Sequence, residues 1–91
     1  MAIATYETET KSHTGEVDFF TVRIRGQVTM EDAAHLREDL MAKIAGAPYQ
    51  RVVLALGDLD RIDSAGAAVL VEAVLHGREK GKRVNAFSNR E

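Results

Sequence analysis

The chain has 91 residues, enough for one small domain, which buries only roughly 60–65% of the surface its extended form exposes. A hydrophobic share of 45% beside 29% charged residues is that of a globular protein rather than a disordered one. Twelve basic and fourteen acidic residues leave a net charge of −2, without the Lys and Arg excess that binding to nucleic-acid phosphates requires.

Residues 3–10, IATYETET, alternate loosely and read as a strand with one wet face. KSHTGEVD then reads as a turn. In FFTVRIRGQV, Phe20, Val22 and Ile24 point one way while Thr21, Arg23 and Arg25 point the other, the period of an amphipathic strand. A turn at Gly15 would make these two strands an antiparallel hairpin. Thr29 opens a predicted helix. Asp32 follows three residues later, so the hydroxyl is placed to cap backbone N–H groups and the carboxylate to favour the helix's positive end. Ala33, Leu36, Leu40, Met41 and Ile44 form one apolar stripe, and Gly46 with Pro48 just beyond ends it.

RVVLAL, residues 51–56, runs without alternation and predicts a central strand covered on both faces. GDLDRID reads as a connecting turn. A second helix is expected over roughly 65–80, with Leu70, Val74, Ala67 and Val71 in its buried ridges, Glu72, His76, Arg78, Glu79 and Lys80 towards water, and Gly81 as its stop. KRVNAF, residues 82–87, is the last strand, parallel to 51–56 through a right-handed crossover. The predicted fold is α/β, a single domain of order β-β-α-β-α-β, with a mixed, mainly parallel sheet and helices on one side.

No cysteine is present, so neither a disulfide nor a thiolate metal site is available, and a reducing cytosol suits the chain. MAIATYETETK has neither the cationic start nor the apolar core of a signal peptide. Nor does any stretch approach the ~20 apolar residues of a membrane-spanning helix. The expectation is a cytoplasmic protein.

Asp58, Asp60 and Asp63 crowd the segment after the central strand, yet they lack the glycine and distal glutamate of a calcium loop. Turn-forming acids are the simpler reading. No GxxxxGK[ST] cradle exists for a nucleotide phosphate. Ser64 lacks the GxSxG frame of a nucleophile elbow, and His13, His35 and His76 fall in a turn and on helix faces. No catalytic residue, metal site or cofactor is therefore assigned. Asp63 or Ser64 instead stands where a helix N-cap belongs, at the carboxyl edge of a parallel strand, where α/β folds place ligands and partners.

Taken as a unit, VVLALGDLDRIDSAGAAVLVEAVLHGREKGKRV resembles the STAS family, shared by bacterial anti-sigma factor antagonists and the cytosolic tails of sulfate transporters. IDSAG supplies Asp63, Ser64 and Gly66 of the family's Asp-Ser-Ser-Gly pattern, REKGKRV its closing glycine, and IRGQVTMEDAAHLREDL is similar to its Gly-Glu-Leu-Asp turn and first helix. The likeness spans roughly residues 15 to 87. It implies a domain that docks a protein partner through Asp63, Ser64, Ala65, Gly66, Ala67 and Ala68. In the antagonists, a serine kinase that is itself the anti-sigma factor phosphorylates the second serine of the motif. Ala65 occupies that position here, which leaves Ser64 as the candidate phosphoacceptor. Asp63-Ser64-Ala65-Gly66 is also similar to the Asp-Thr-Ala-Gly motif of the small STAS subunit of a phospholipid-trafficking ABC transporter, which binds the transporter's ATPase without being phosphorylated. The partner implied is thus an anti-sigma factor serine kinase or an ABC ATPase. On this resemblance the family's usual C-terminal helix would be missing after NAFSNRE, leaving apolar surface open to a partner or a homodimer. A nucleotide or lipid ligand near the Asp58 to Ser64 edge is the competing reading.

Overall fold

Alternation along residues 19–28 sets the frame of the sheet. The computed structural model describes residues 5–88. Its elements are β1 (Tyr6–His13), β2 (Phe19–Val28), α1 (Ala33–Ala45), β3 (Arg51–Ala55), β4 (Leu59–Ile62), α2 (Ser64–Glu79) and β5 (Arg83–Phe87). The sheet order is β1-β2-β3-β5, with β4 paired to β2 off that path. β1 runs antiparallel to β2, while β2–β3, β2–β4 and β3–β5 are parallel. The expected mixed, mainly parallel sheet is therefore present.

Val22, Ile24 and Val28 of β2, Val52 and Leu54 of β3, and Val84 of β5 all turn to one face and are buried. Leu36, Leu40 and Ile44 of α1, with Val69, Leu70 and Ala73 of α2, complete the same core, so both helices cover that face. α1 lies over β1. The Tyr6 hydroxyl is 2.7 Å from His35 Nδ1, and the Thr8 hydroxyl donates to Asp39 at 3.2 Å. Burial first, then the negative charges of Asp39 and Asp32, push the Tyr6 phenol up to about 12. It stays protonated throughout the physiological range.

Four expectations change. The segment read as one turn from Lys11 is strand as far as His13, and residues 3 and 4 of the expected first strand lie outside the described residues. GDLDRID contains a strand: after leaving β3 the chain pairs again with β2, further along, as Leu59–Ile62. The register shift falls between Gly26 and Gln27, and Gly26 has φ +94°, where a Cβ would run into the Thr5 carbonyl. β3 is interior but has one helix-covered face only. Val52 and Leu54 are buried, while Val53 and Ala55 on the opposite face are half-buried. A continuous apolar run cannot distinguish these cases, because Val and Ala tolerate either environment. Lastly, α1 begins at Ala33 with Asp32 as its N-cap residue, four residues later than Thr29. Asp32 is buried, and its carboxylate accepts from the Thr5 hydroxyl at 2.7 Å and from the Thr29 hydroxyl and N–H at 3.1 and 3.3 Å. Those bonds, the one from Thr5 foremost, hold its carboxyl below the usual carboxylate range. The acid thus ties the turn to Thr5, just ahead of β1, instead of Thr29 capping the helix.

Close approach of α2 to its neighbours rests on Gly77. A Cβ there would overlap Val84 Cγ2 of β5 and come within 3.3 Å of Ile44 Cγ2 of α1. Gly77→Ala gains about 1 kcal/mol of helix propensity, but overpacking of this kind costs about 1–3 kcal/mol, and the rigid valine cannot swing aside. We expect a net loss of stability of about 1 kcal/mol in urea unfolding, whereas Gly15→Ala, with nothing within 4 Å, stays within about 0.5 kcal/mol of the parent. Equal midpoints for the two variants would refute the close-approach argument.

Candidate functional site

β4 delivers the chain to the end of β2, where the Asp63 N–H donates to the Val28 carbonyl at 3.2 Å. Asp63 is extended (φ −94°, ψ 179°) and caps α2. Its two oxygens have different partners: Oδ1 accepts from Gly66 N–H at 3.0 Å and Oδ2 from Met30 N–H at 2.8 Å. One carboxylate therefore joins the start of α2 to the loop before α1. The Gly66 bond foremost, with the Met30 bond and the nearby Arg61 charge adding to it, holds the Asp63 carboxyl below the usual range against the opposing effect of burial. Of the two capping candidates, Asp63 is the cap. Ser64 is the first helical residue, exposed, and its hydroxyl makes no hydrogen bond among the described residues.

α2 is apolar nearly all round, so its sequence could not say which stripe faces inward. The buried stripe is Gly66, Val69, Leu70, Ala73 and Gly77, with Val74 half-buried. Ala67 and Val71, expected in the interior, are exposed together with Ala68 and Leu75. Val71 is 59% and Leu75 52% exposed, and Met30, from the loop held by Asp63, is 73% exposed. Ser64, Ala68, Val71 and Leu75 follow steps of four, three and four, which is one helix face. No charge interrupts α2 before Glu72, whose carboxylate pairs with Arg37 at 2.8 Å and borders the face.

The six residues predicted to form the docking site do not all share this surface. Ser64, Ala67 and Ala68 are exposed, Asp63 and Ala65 are half-buried, and Gly66 is buried. A Cβ on Gly66 would stand 2.7 Å from Val28 Cγ1 and 2.9 Å from Ile62 Cγ1, so this glycine seats α2 on β2 and β4 rather than admitting a visitor. Beside Ala67 and Val71 lies an apolar groove of about 630 Å³ floored by Leu56, Leu59, Ile62 and Leu70. Met30 and Leu75 were not anticipated. A large apolar residue in the turn after a strand was the available signal for Met30, hidden by its assignment to the helix.

The remaining candidates are dispersed. Asp58 faces Arg23 at 3.6 Å, Asp60 is exposed, and Asp63 is occupied by its two N–H donors. Among the described residues, no group of three or more His, Cys, Asp or Glu side chains is placed to hold a metal ion. His13 is on β1, stacked on Phe19 at 4.3 Å, His35 is on α1 against Tyr6, and His76 lies on α2 about 18 Å along the helix from Ser64 at 1.5 Å per residue. No described helix is long and apolar enough to cross a membrane.

A family model described as Mlab, STAS domain matches residues 12–89. The chain belongs to the STAS domain family, and at family level it is a regulatory protein-binding domain. Among solved structures it is similar to an anti-sigma factor antagonist from Mycobacterium paratuberculosis (25% identity, TM-score 0.69, covering 91% of this chain and 68% of that one). It is also similar in fold to the STAS domain of an antisigma-factor antagonist from Rhodobacter sphaeroides (24%, 0.68, 92% and 87%). A third likeness, to Mglu (26%, 0.66), covers 86% of this chain and 19% of that one, so the chain spans about a fifth of Mglu's length. No curated protein matches the chain.

Because its folded pKa is depressed, the Asp63 carboxylate contributes stability above its unfolded value of about 4, and that contribution fades as pH falls through the lower folded value. Asp63→Ala should lower the Tm by roughly 4–8 °C at pH 7, with the gap to the parent narrowing below about pH 4. Thermal melts between pH 3 and pH 7 check this, and a gap that is constant with pH counts against the carboxylate's role.

Proposed function

We propose that this STAS domain is a non-enzymatic, anti-sigma factor antagonist-like module of the cytoplasm that docks a protein partner through the loop and first turns of α2. One observation carries the reading: α2 turns an uncharged, small-to-apolar stripe to solvent directly opposite the stripe it buries, with Met30 held beside it by Asp63. Scattered exposed apolar residues need no explanation, whereas a contiguous set on one rigid helix face marks an interaction site. Asp63 shapes the loop and caps the helix, and Ser64 bonds across the interface or is modified. Ala65 and Gly66 keep the helix close to the sheet, and Ala67 and Ala68 leave the surface flat.

The partner this reading favours is an anti-sigma factor that is a serine kinase, in keeping with the likeness to the antagonists. Phosphorylation of Ser64 would place nearly two negative charges at a helix N-terminus, which tolerates them. The same charge on an uncharged docking stripe weakens the partner's hold, so one group switches affinity. A second reading, an accessory subunit that binds an ABC transporter ATPase, is favoured by Ala65, which offers no oxygen to phosphorylate, and by the Mlab description of the matching family model.

Calorimetric titration with the serine-kinase anti-sigma factor of the same genome tests the proposal. Ala68→Arg and Val71→Asp should weaken binding at least about tenfold, roughly 1.4 kcal/mol, while Asn85→Arg on the helix-free face of the sheet has no effect. Incubation with the kinase and ATP should add the mass of one phosphate, lost in Ser64→Ala. Co-purification with an ATPase subunit and no phosphate favours the second reading. If neither partner's affinity responds to the α2 variants, the docking assignment falls.

A further inference from the structure

We propose that the outer edge of β1 is a self-pairing surface, through which two copies of this chain join their sheets antiparallel about a twofold axis at Thr10. β1 ends the sheet order, and among the described residues its one strand neighbour is β2. The Gln27 N–H donates to the Thr5 carbonyl at 2.9 Å, while the Gly26 N–H turns the other way, towards Asp58. Odd-numbered residues of β1 therefore direct their backbone groups to β2. Alternation along an antiparallel ladder leaves the N–H and C=O groups of Tyr6, Thr8, Thr10 and Ser12 on the open edge.

Such an edge is a template for another strand unless something blunts it. Apart from charges on its helix-free face, β1 carries none of the usual devices. It pairs with β2 over eight consecutive positions without a bulge, contains no proline, and directs Tyr6, Thr8, Thr10 and Ser12, all uncharged, to the helix-covered face. β5, the strand at the opposite end, has five residues.

The occupant follows from charge. On the helix-free face β1 presents Glu7, Glu9, Lys11 and His13 in that order, its two acids, which also flank Arg25 of β2, in the first half and its one cation, Lys11, in the second. With Thr10 opposite Thr10 of a second copy, Glu9 faces Lys11 and Glu7 faces His13, and each pair occurs twice by symmetry. On the other face Thr8 meets Ser12. Opposite charges directly across a ladder stabilise the pairing and like charges oppose it. Thr10 is also an edge-facing residue, so two copies exchange both of its backbone hydrogen bonds. A strand so patterned is complementary to itself, which is what a twofold, isologous interface requires.

Sedimentation velocity over 10–500 µM protein at low salt tests the proposal, with a dimer expected that weakens as salt rises. Thr10→Pro removes only an edge-facing N–H and leaves the bonds to β2 in place, so the variant should keep the parent's circular dichroism and sediment as a monomer. Lys11→Glu and Glu9→Lys each set like charges opposite one another and should be monomeric alone, while an equimolar mixture of the two restores the dimer. A parent that stays monomeric throughout the range, or a dimer indifferent to Thr10→Pro and to the charge variants, overturns the proposal.

Discussion

A carboxylate with two oxygens and two backbone donors joins the start of α2 to the loop before α1. Asp63 stops β4, starts α2, and keeps the loop around Met30 against the first turn. The arrangement needs β4, because only by rejoining β2 beyond the end of β3 does the chain bring Asp63 within reach of the Val28 carbonyl. It also needs α2 to descend close to the sheet, which Gly66 permits over Val28 and Ile62, and Gly77 over Val84. The surface is rigid for these reasons, and a rigid surface loses little entropy on meeting a partner.

The parts of this architecture legible in the sequence were those where one physical rule acted alone. Alternation in β2 separated Val22 and Ile24 from Arg23 and Arg25, and three- and four-residue steps in α1 picked out Leu36, Leu40 and Ile44. The rules gave no answer where a segment was apolar on every side. In α2, Ala67 and Val71 are as hydrophobic as Val69 and Ala73, so the choice of buried stripe lay with the glycines at 66 and 77, whose meaning depends on what lies beneath them. β4 escaped notice because Asp60 and Arg61 sit among four residues that also contain Leu59 and Ile62, a pattern as typical of a turn as of a short strand. Asp63 was visible as a cap, but its second partner was not, since Met30 is distant in sequence and its N–H becomes available only once β2 and β4 are paired.

The candidate site shows the same division. A motif locates the start of a helix, and a run of small residues suggests close approach, yet small residues serve two opposed ends. Gly66 is small so that the protein can pack against itself; Ala67 and Ala68 are small on the side where nothing packs. Burial distinguishes the two, and it moves the centre of the proposed docking surface from the motif towards Met30, Ala68, Val71 and Leu75. The charged residues within α2 fall at Glu72 and beyond, and the one carboxylate at its start, Asp63, is held by the Gly66 and Met30 N–H groups, so a phosphate on Ser64 would add the largest new charge to the stripe.

The two proposed surfaces do not compete. α1 lies over β1 while α2 contacts β4 and β5, so pairing at the β1 edge leaves the α2 stripe at the far side of each copy. An antiparallel pair places directly opposed side chains on the same face, hence the twofold axis stands perpendicular to the joined sheet and both sets of helices lie on one side. The dimer would then offer two α2 stripes facing the same direction. A partner that is itself a dimer meets both at once, and the second contact becomes intramolecular, which raises avidity without any new interaction. On these two proposals, modifying one copy would weaken that grip in part and modifying both would release it, so edge pairing would convert a single-site switch into a graded one.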